Sequence, residues 1–341
     1  MGVAIKAMRK VAKLSAKDRE ALFRNTAAKI GMSEGIVEKD FWVCFILDYL
    51  FHESPWRDHL VFKGGTSLSK AYHLIKRFSE DVDLILDWRV LGYAKDYPLG
   101  LSSNNQREKF KAECTEKFRK FLADDFIPKI SEDIGGILPK SSKFSLYEEN
   151  GELTVLFHYP SIFRDFALTP AIRLEIGPLA AWTPTQNALI TPYVAECYSG
   201  LFAGVGTVIL TTTAERSFWE KATILHAEAH RPDGNRTPQR YSRHYYDMYC
   251  MAKSPFKKSA LDNIQLLKDV AEFKNKFYHA GWARYDMAKP GTLRLVPSAD
   301  NEEVLRKDYD AMQSMFYGEY PDFNTITDEI AKLEKEVNGL K

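Results

Sequence analysis

The sequence predicts an α+β protein, a mixed sheet flanked by helices followed by a mainly helical C-terminal domain. Three observations carry this. Short runs that alternate in polarity lie between residues 60 and 177. Stretches with apolar residues at three- and four-residue spacing dominate before residue 52 and after residue 192. The change of texture near 185–200 places the boundary, giving domains of 1–190 and 191–341.

Residues 16–52 read as helical throughout. The apolar run FWVCFILDYLF (Phe41 to Phe51) carries Asp48 and is too short to span a bilayer, so it reads as a buried core helix. LVF (Leu60 to Phe62) is a short strand ending at Lys63-Gly64-Gly65. Thr66 or Ser67 then caps a helix expected to reach about Lys76. From Phe78 to Leu86 the pattern alternates, with Asp81, Asp83 and Ile85 on one face and Val82, Leu84 and Leu86 on the other. A long charged helix follows, from about Asn105 to Ile130. Residues 143–160 form two strand-like runs around Asn150-Gly151, a hairpin signal. In AIRLEIG (Ala171 to Gly177), Ile172, Leu174 and Ile176 face one way and Arg173 and Glu175 the other. The later segments 214–230, 240–253, 259–279, 301–316 and 325–338 read as helices.

Composition bounds the function. The formal net charge is +1, so no global field draws the chain to nucleic acid or to a membrane. The four cysteines, Cys44, Cys114, Cys197 and Cys250, lack metal-type spacing and read as reduced, mostly buried thiols. The basic, amphipathic start lacks the apolar core and cleavage site of a secretory leader. A cytoplasmic protein is expected.

The chemistry concentrates in KGGTSLSKAYHLIKRFSEDVDLIL (Lys63 to Leu86). A strand, a Gly-Gly turn and a helix with early hydroxyls make a seat for phosphate. Two aspartates on one face of the next strand are tolerable when a divalent cation bridges them, and Mg²⁺ shares hard oxygen ligands between carboxylates and substrate phosphates. Together the halves predict a metal-bound nucleoside triphosphate, with Mg²⁺ or Mn²⁺. No Walker A loop and no GxGxxG is present. Glycine pair, hydroxyl, short helix and Asp-x-Asp form the signature of the nucleotidyltransferase superfamily with a polymerase-beta-like core. The alternative is an ordinary turn before a solvated acidic edge strand. Glu175 is the candidate third carboxylate, or else the partner of Arg173 on a surface strand.

In the second half, Lys221 lies mid-helix in ERSFWEKATILHAEAH, and RYSRHYYDMY places Arg243 and Asp247 at i and i+4. A lysine and an arginine near the metal would hold the triphosphate, and Asp247 would orient Lys221 or act as an accessory base. The alternative is surface ion pairing. His226 and His230 have a zinc-compatible spacing, but HAEAH is not HExxH and no third ligand follows.

The chain resembles the nucleotidyltransferase toxins of the AbiEii/AbiGii type, the toxin half of type IV toxin–antitoxin and phage abortive-infection systems. VEKDFWV (Val37 to Val43), VFKGGTSLSKAY…RFSEDVDL, FWEKATILH, RYSRHYYDMY, GWARYDMAKPGTLRLVP and RKDYDAMQSMFYGEYPDF carry the resemblance. It implies a nucleotidyltransferase-like N-terminal domain and a helical C-terminal one. Gly64, Gly65 and Ser67 would seat the triphosphate, with Lys63, Thr66, Lys70 and Arg243 as further nucleotide-binding candidates. Asp81 and Asp83 would hold Mg²⁺. Lys221 would contact the nucleotide, and Asp247 would be the late catalytic aspartate. The implied acceptor is a hydroxyl on RNA, above all tRNA. The implied partner is an antitoxin that binds DNA and represses transcription. A nucleotide-binding module without turnover and a transferase acting on protein side chains stand as alternatives.

Overall fold

A computed structural model describes residues 3–340 except 96, 102, 150, 164–168, 180–182, 203–205 and 233. It divides into two compact units, Met1–Ala71 with Ser79–Thr211, and Tyr72–Phe78 with Thr212–Lys341.

The first unit is built on a mixed sheet whose strands among the described residues are β1 (Leu60–Lys63), β2 (Asp81–Leu86), β3 (Lys143–Glu149), β4 (Glu152–His158), β5 (Ile172–Gly177), β6 (Thr185–Ile190) and β7 (Thr207–Thr212). Their order is β3-β4-β5-β2-β1-β7-β6. β1 and β2 are antiparallel, while β2 runs parallel to β5 and β1 parallel to β7. β3 and β4 pair from Lys143↔His158 to Glu149↔Glu152. Their turn holds Gly151 at φ +82°, and Asn150 of the hairpin signal lies outside the described residues. β6 and β7 were not expected. TQNALI has no clean alternation, and β7 takes its place beside β1 through a partner 149 residues earlier, where Thr211 Oγ1 donates to Phe62 O at 2.9 Å.

One face of the sheet is apolar and carries Phe62, Val82, Leu84, Leu86, Val155, Phe157, Ile172, Leu174 and Ile176, all buried. Against it packs the helix Glu34–His52, buried from Gly35 to Phe51. Trp42 of that helix meets Phe157 edge-on at 6.3 Å and stacks on Tyr159 at 6.0 Å. The expected continuous helix over 16–52 is two helices. Gly31 closes Ala16–Ile30 in a left-handed conformation at φ +70°, and the Ser33 side chain caps Glu34–His52 by accepting from Ile36 N. The helix after the glycine pair spans only Gly64–Lys70. Its cap is Lys63, whose side chain does not cap the helix, and His73 at φ +53° prevents its continuation to Lys76. The long charged helix has three parts: Asn104–Lys120, a widened π-helical turn Phe121–Phe126, and Ile127–Gly135. Pro128 in the first turn of the last part offers no amide hydrogen and crowds the preceding turn, which is relieved by widening it.

The second unit holds the helices Ala214–Glu228, Arg243–Ala252, Phe256–Asp262, Ile264–Phe277, Ala299–Ala311 and Phe323–Asn338. Asn263 divides the segment expected as one helix over 259–279. Tyr72–Phe78 belongs to this unit by direct pairing. Phe78 N donates to Met315 O at 2.8 Å, Tyr317 N donates to Lys76 O at 3.0 Å, and Arg77 and Phe316 form an antiparallel bridge. No helix among the described residues is long and apolar enough to cross a membrane. All four cysteines are free thiols, Cys44 and Cys114 buried and Cys197 and Cys250 half-buried.

Candidate active site

The polar face of the first unit's sheet is built by register. Lys63 stands opposite Asp83 across β1 and β2. Across β2 and β5, Asp81 stands opposite Arg173 and Asp83 opposite Glu175. Directly opposed residues share a face, and so do residues two apart along a strand. Asp81, Asp83 and Glu175 therefore lie on one surface, which continues along the strands into an apolar patch of Val61, Ile85 and Leu210. This is the face that alternation in the sequence assigns to the carboxylates.

Gly64 lies directly beneath Asp83. Its φ is +79°, and a Cβ there would stand 1.9 Å from Asp83 Oδ2. Two independent demands thus select glycine, backbone conformation and the carboxylate pressed against it. The hydroxyls after it face inward. Thr66 Oγ1 donates to the backbone oxygen of Asp81, tying the glycine turn to β2, and Ser67 Oγ donates to Gly64 O at 2.8 Å. Both residues are buried. Lys70 is buried too, its Nζ 2.6 Å from Asp40 Oδ1 and 4.0 Å from the centre of the Tyr193 ring.

The carboxylates repel one another and Arg173 partly compensates. Its Nε is 3.5 Å from Asp81 Oδ1 and 3.5 Å from Glu175 Oε1. Burial, with Asp81 and Asp83 next, still pushes the Glu175 carboxyl up to about 7. Among the described residues, no three His, Cys, Asp or Glu side chains enclose a metal position by themselves. The donor set is nonetheless of the right kind for Mg²⁺, which takes hard oxygens and completes its shell with water and substrate phosphate. The lesser part of that rise comes from Asp81 and Asp83, a repulsion that a cation would relieve.

Three neighbouring charges that the sequence reading passed over support this surface from behind. Glu38, Lys39 and Asp40 are consecutive and all buried on the helix Glu34–His52. Lys39 Nζ donates to Glu80 Oε2 at 2.7 Å and to Thr169 O at 3.0 Å, which anchors the residue before Asp81. Asp40 takes Lys70 and accepts from Tyr193 N at 2.8 Å. Glu38 accepts from the amides of Ile162 and Phe163. The available signal was three adjacent charges inside an otherwise apolar helix.

The second unit holds its own cluster. Asp247 is fully buried and accepts a fork from Arg77, Nε at 2.7 Å and Nη2 at 2.8 Å. Lys221 Nζ lies 2.7 Å from its Oδ2 and 3.0 Å from His244 Nδ1. Burial alone would raise the Asp247 carboxyl, but Arg77 and Lys221 overcome it and hold the group far below the usual carboxylate range. Burial lowers the Lys221 ammonium, opposed by Asp247. Asp247 is thus paired with Lys221. It bonds Arg77 rather than Arg243, which opens the helix Arg243–Ala252 four residues earlier. Arg77 was missed, although it stands inside the Lys63–Leu86 stretch.

The rings of His226 and His230 bond backbone groups, His230 Nδ1 lying 2.8 Å from His226 O. His226 Nδ1 accepts from Arg294 N at 3.0 Å and its Nε2 bonds Arg284 O at 2.9 Å, so both ring nitrogens are engaged. The basic residues of the helix Asn104–Lys120 are paired with acids: Lys111 with Glu108, Lys117 with Glu113, Arg119 with Glu148. They read as a solvated helix face.

The family model described as nucleotidyl transferase AbiEii toxin, type IV toxin–antitoxin system, matches residues 46–329. The chain belongs to this family. It is a nucleotidyltransferase toxin, and its family implies an antitoxin partner. The fold of the toxin is similar to that of MenT4, a nucleotidyltransferase toxin from Mycobacterium tuberculosis H37Rv, with a TM-score of 0.54 at 14% identity, over 96% of this chain and 91% of that one. No curated protein sequence matches it.

Proposed function

We propose that the toxin transfers a nucleotidyl group from a nucleoside triphosphate to a hydroxyl of RNA, with tRNA as the acceptor. The acceptor oxygen bonds the α-phosphorus, the α–β anhydride bond breaks, and pyrophosphate leaves. The observation that carries this reading is the register placing Asp83 opposite Glu175 with Asp81 on the same face.

Asp81 and Asp83 would hold Mg²⁺, with Glu175 as third ligand. Bound there, Mg²⁺ would supply charge against the phosphates and acidify the acceptor hydroxyl. Gly64 and Gly65 let backbone approach the phosphates, with Lys63 beside Asp83 to balance charge. Lys221, aimed by Asp247, and Arg243 serve as phosphate contacts. The partner antitoxin is read as a DNA-binding repressor, and the site of action as the cytoplasm.

The test is turnover with each of the four labelled triphosphates and Mg²⁺, offering total RNA and total protein as acceptors, beside Asp81→Asn and Asp83→Asn. Label should pass to tRNA from one nucleotide, vanish with EDTA, and fall by at least a thousandfold in either variant while both stay folded. Label on protein would overturn the RNA acceptor. Full activity in the aspartate variants would overturn the site.

A further inference from the structure

His244 has no place in the reading so far, yet it touches Lys221 directly. It is the second residue of the helix Arg243–Ala252, three before Asp247, so the two side chains share a helix face. Lys221 reaches both, Asp247 Oδ2 at 2.7 Å and His244 Nδ1 at 3.0 Å. Asp247 is ionised and only accepts, and the ion pair it forms with Lys221 at 2.7 Å takes that nitrogen as an ammonium. An ammonium has three hydrogens and no acceptor. His244 Nδ1 must then be the acceptor, and the ring is the neutral tautomer with its hydrogen on Nε2. Tyr241 meets the ring edge-on at 4.8 Å and fixes its plane. Burial, then Lys221 and Arg243, hold the imidazole well below its usual range, so it remains neutral near pH 7. His244 is half-buried, and among the described residues nothing bonds its Nε2.

We propose that His244 is a further ligand-contacting residue, which presents its Nε2 hydrogen beside Lys221 so that the pair grips adjacent oxygens of a polyphosphate. This rests on the reading of Lys221 as a phosphate contact. Lys221 keeps one hydrogen after Asp247 and His244 are served. The imidazole contributes a second donor without adding a third positive charge beside Arg77 and Lys221. Such a clamp suits an oligophosphate, whose neighbouring oxygens are spaced for two separate donors.

The experiment is calorimetric titration of inorganic triphosphate with Mg²⁺ into the full-length chain and its His244→Asn, His244→Phe and Lys221→Gln variants. Asparagine retains an acceptor for Lys221, but its amide nitrogen stands nearer the backbone than Nε2, so the donor is withdrawn from the ligand's side. It should weaken binding roughly tenfold, and phenylalanine at least as much. A second readout uses the unaltered protein, labelled with ¹⁵N-histidine. The His244 signals should show an Nε2–H tautomer, and triphosphate should shift Nε2 and leave Nδ1 in place. If His244→Asn binds like the wild type and Nε2 does not respond, His244 only orients Lys221 and the proposal is overturned. If Lys221→Gln also binds like the wild type, the reading of Lys221 falls and takes this one with it.

Discussion

At Gly64 a single hydrogen stands where any other residue would put a carbon. Gly64→Ala must hold the left-handed conformation, at about 1–2 kcal/mol, and push Asp83 aside. The expected outcome is a folded protein with turnover reduced about a hundredfold or more and weaker Mg²⁺ binding, checked by kinetics and metal titration against thermal melting. Asp247 poses the opposite problem. It is an anion between two cations, Arg77 and Lys221. Arg77→Ala leaves it one partner and should cost about 3–5 kcal/mol. Asp247→Ala leaves two buried cations facing each other and should cost more, a ranking that denaturant unfolding can check. Alanine at Asp247 therefore confounds folding with catalysis, and Asp247→Asn is the cleaner probe.

Among elements, the helix Glu34–His52 does the unusual work. It is buried over nearly its whole length, and its three consecutive charges reach in three directions. Lys39→Met would leave Glu80 without its ammonium. The expected result is a loss of about 3–5 kcal/mol, with reduced turnover although Lys39 touches no reacting atom, measured by unfolding and kinetics together. Such charges are invisible to a pattern that counts charged residues as solvent-facing. The carboxylate face was legible because a strand's period of two sorts Asp81, Asp83, Arg173 and Glu175 by local order alone. Gly31 and Pro128 each interrupt a helix that periodicity reads as continuous. β6 was illegible because TQNALI does not alternate, whereas the β-branched run TVILTT of β7 is a local strand signal that was passed over.

For the whole molecule, buried ionisable groups set the response to pH. Asp48 is buried and accepts from Thr207. Burial, then Glu53, raises its carboxyl to about 7. Because the folded value lies above the unfolded one, the native state binds the extra proton between pH 4 and 7, and stability falls as pH rises through that window. Asp48→Asn should remove this slope, so its advantage over wild type grows from pH 4 to pH 8, to the order of 4 kcal/mol. His226 works the other way. Burial lowers it to about 4, so its contribution is complete above pH 6.5 and is lost as pH falls toward 4. Both slopes are measurable from melting temperature across pH.

The loan of Tyr72–Phe78 to the second unit also has a consequence in time. Arg77 and Asp247 are 170 residues apart. At ~5–20 residues per second, the aspartate leaves the ribosome roughly 10–30 s after the arginine. Late in that interval the nascent chain carries Asp81, Asp83 and Glu175 but not yet the aspartate that bonds Arg77 and Lys221. On the role proposed for Lys221 and Asp247, a chain ending before Asp247 lacks the Arg77–Asp247–Lys221 cluster and should show no turnover, which assay of such a truncation checks.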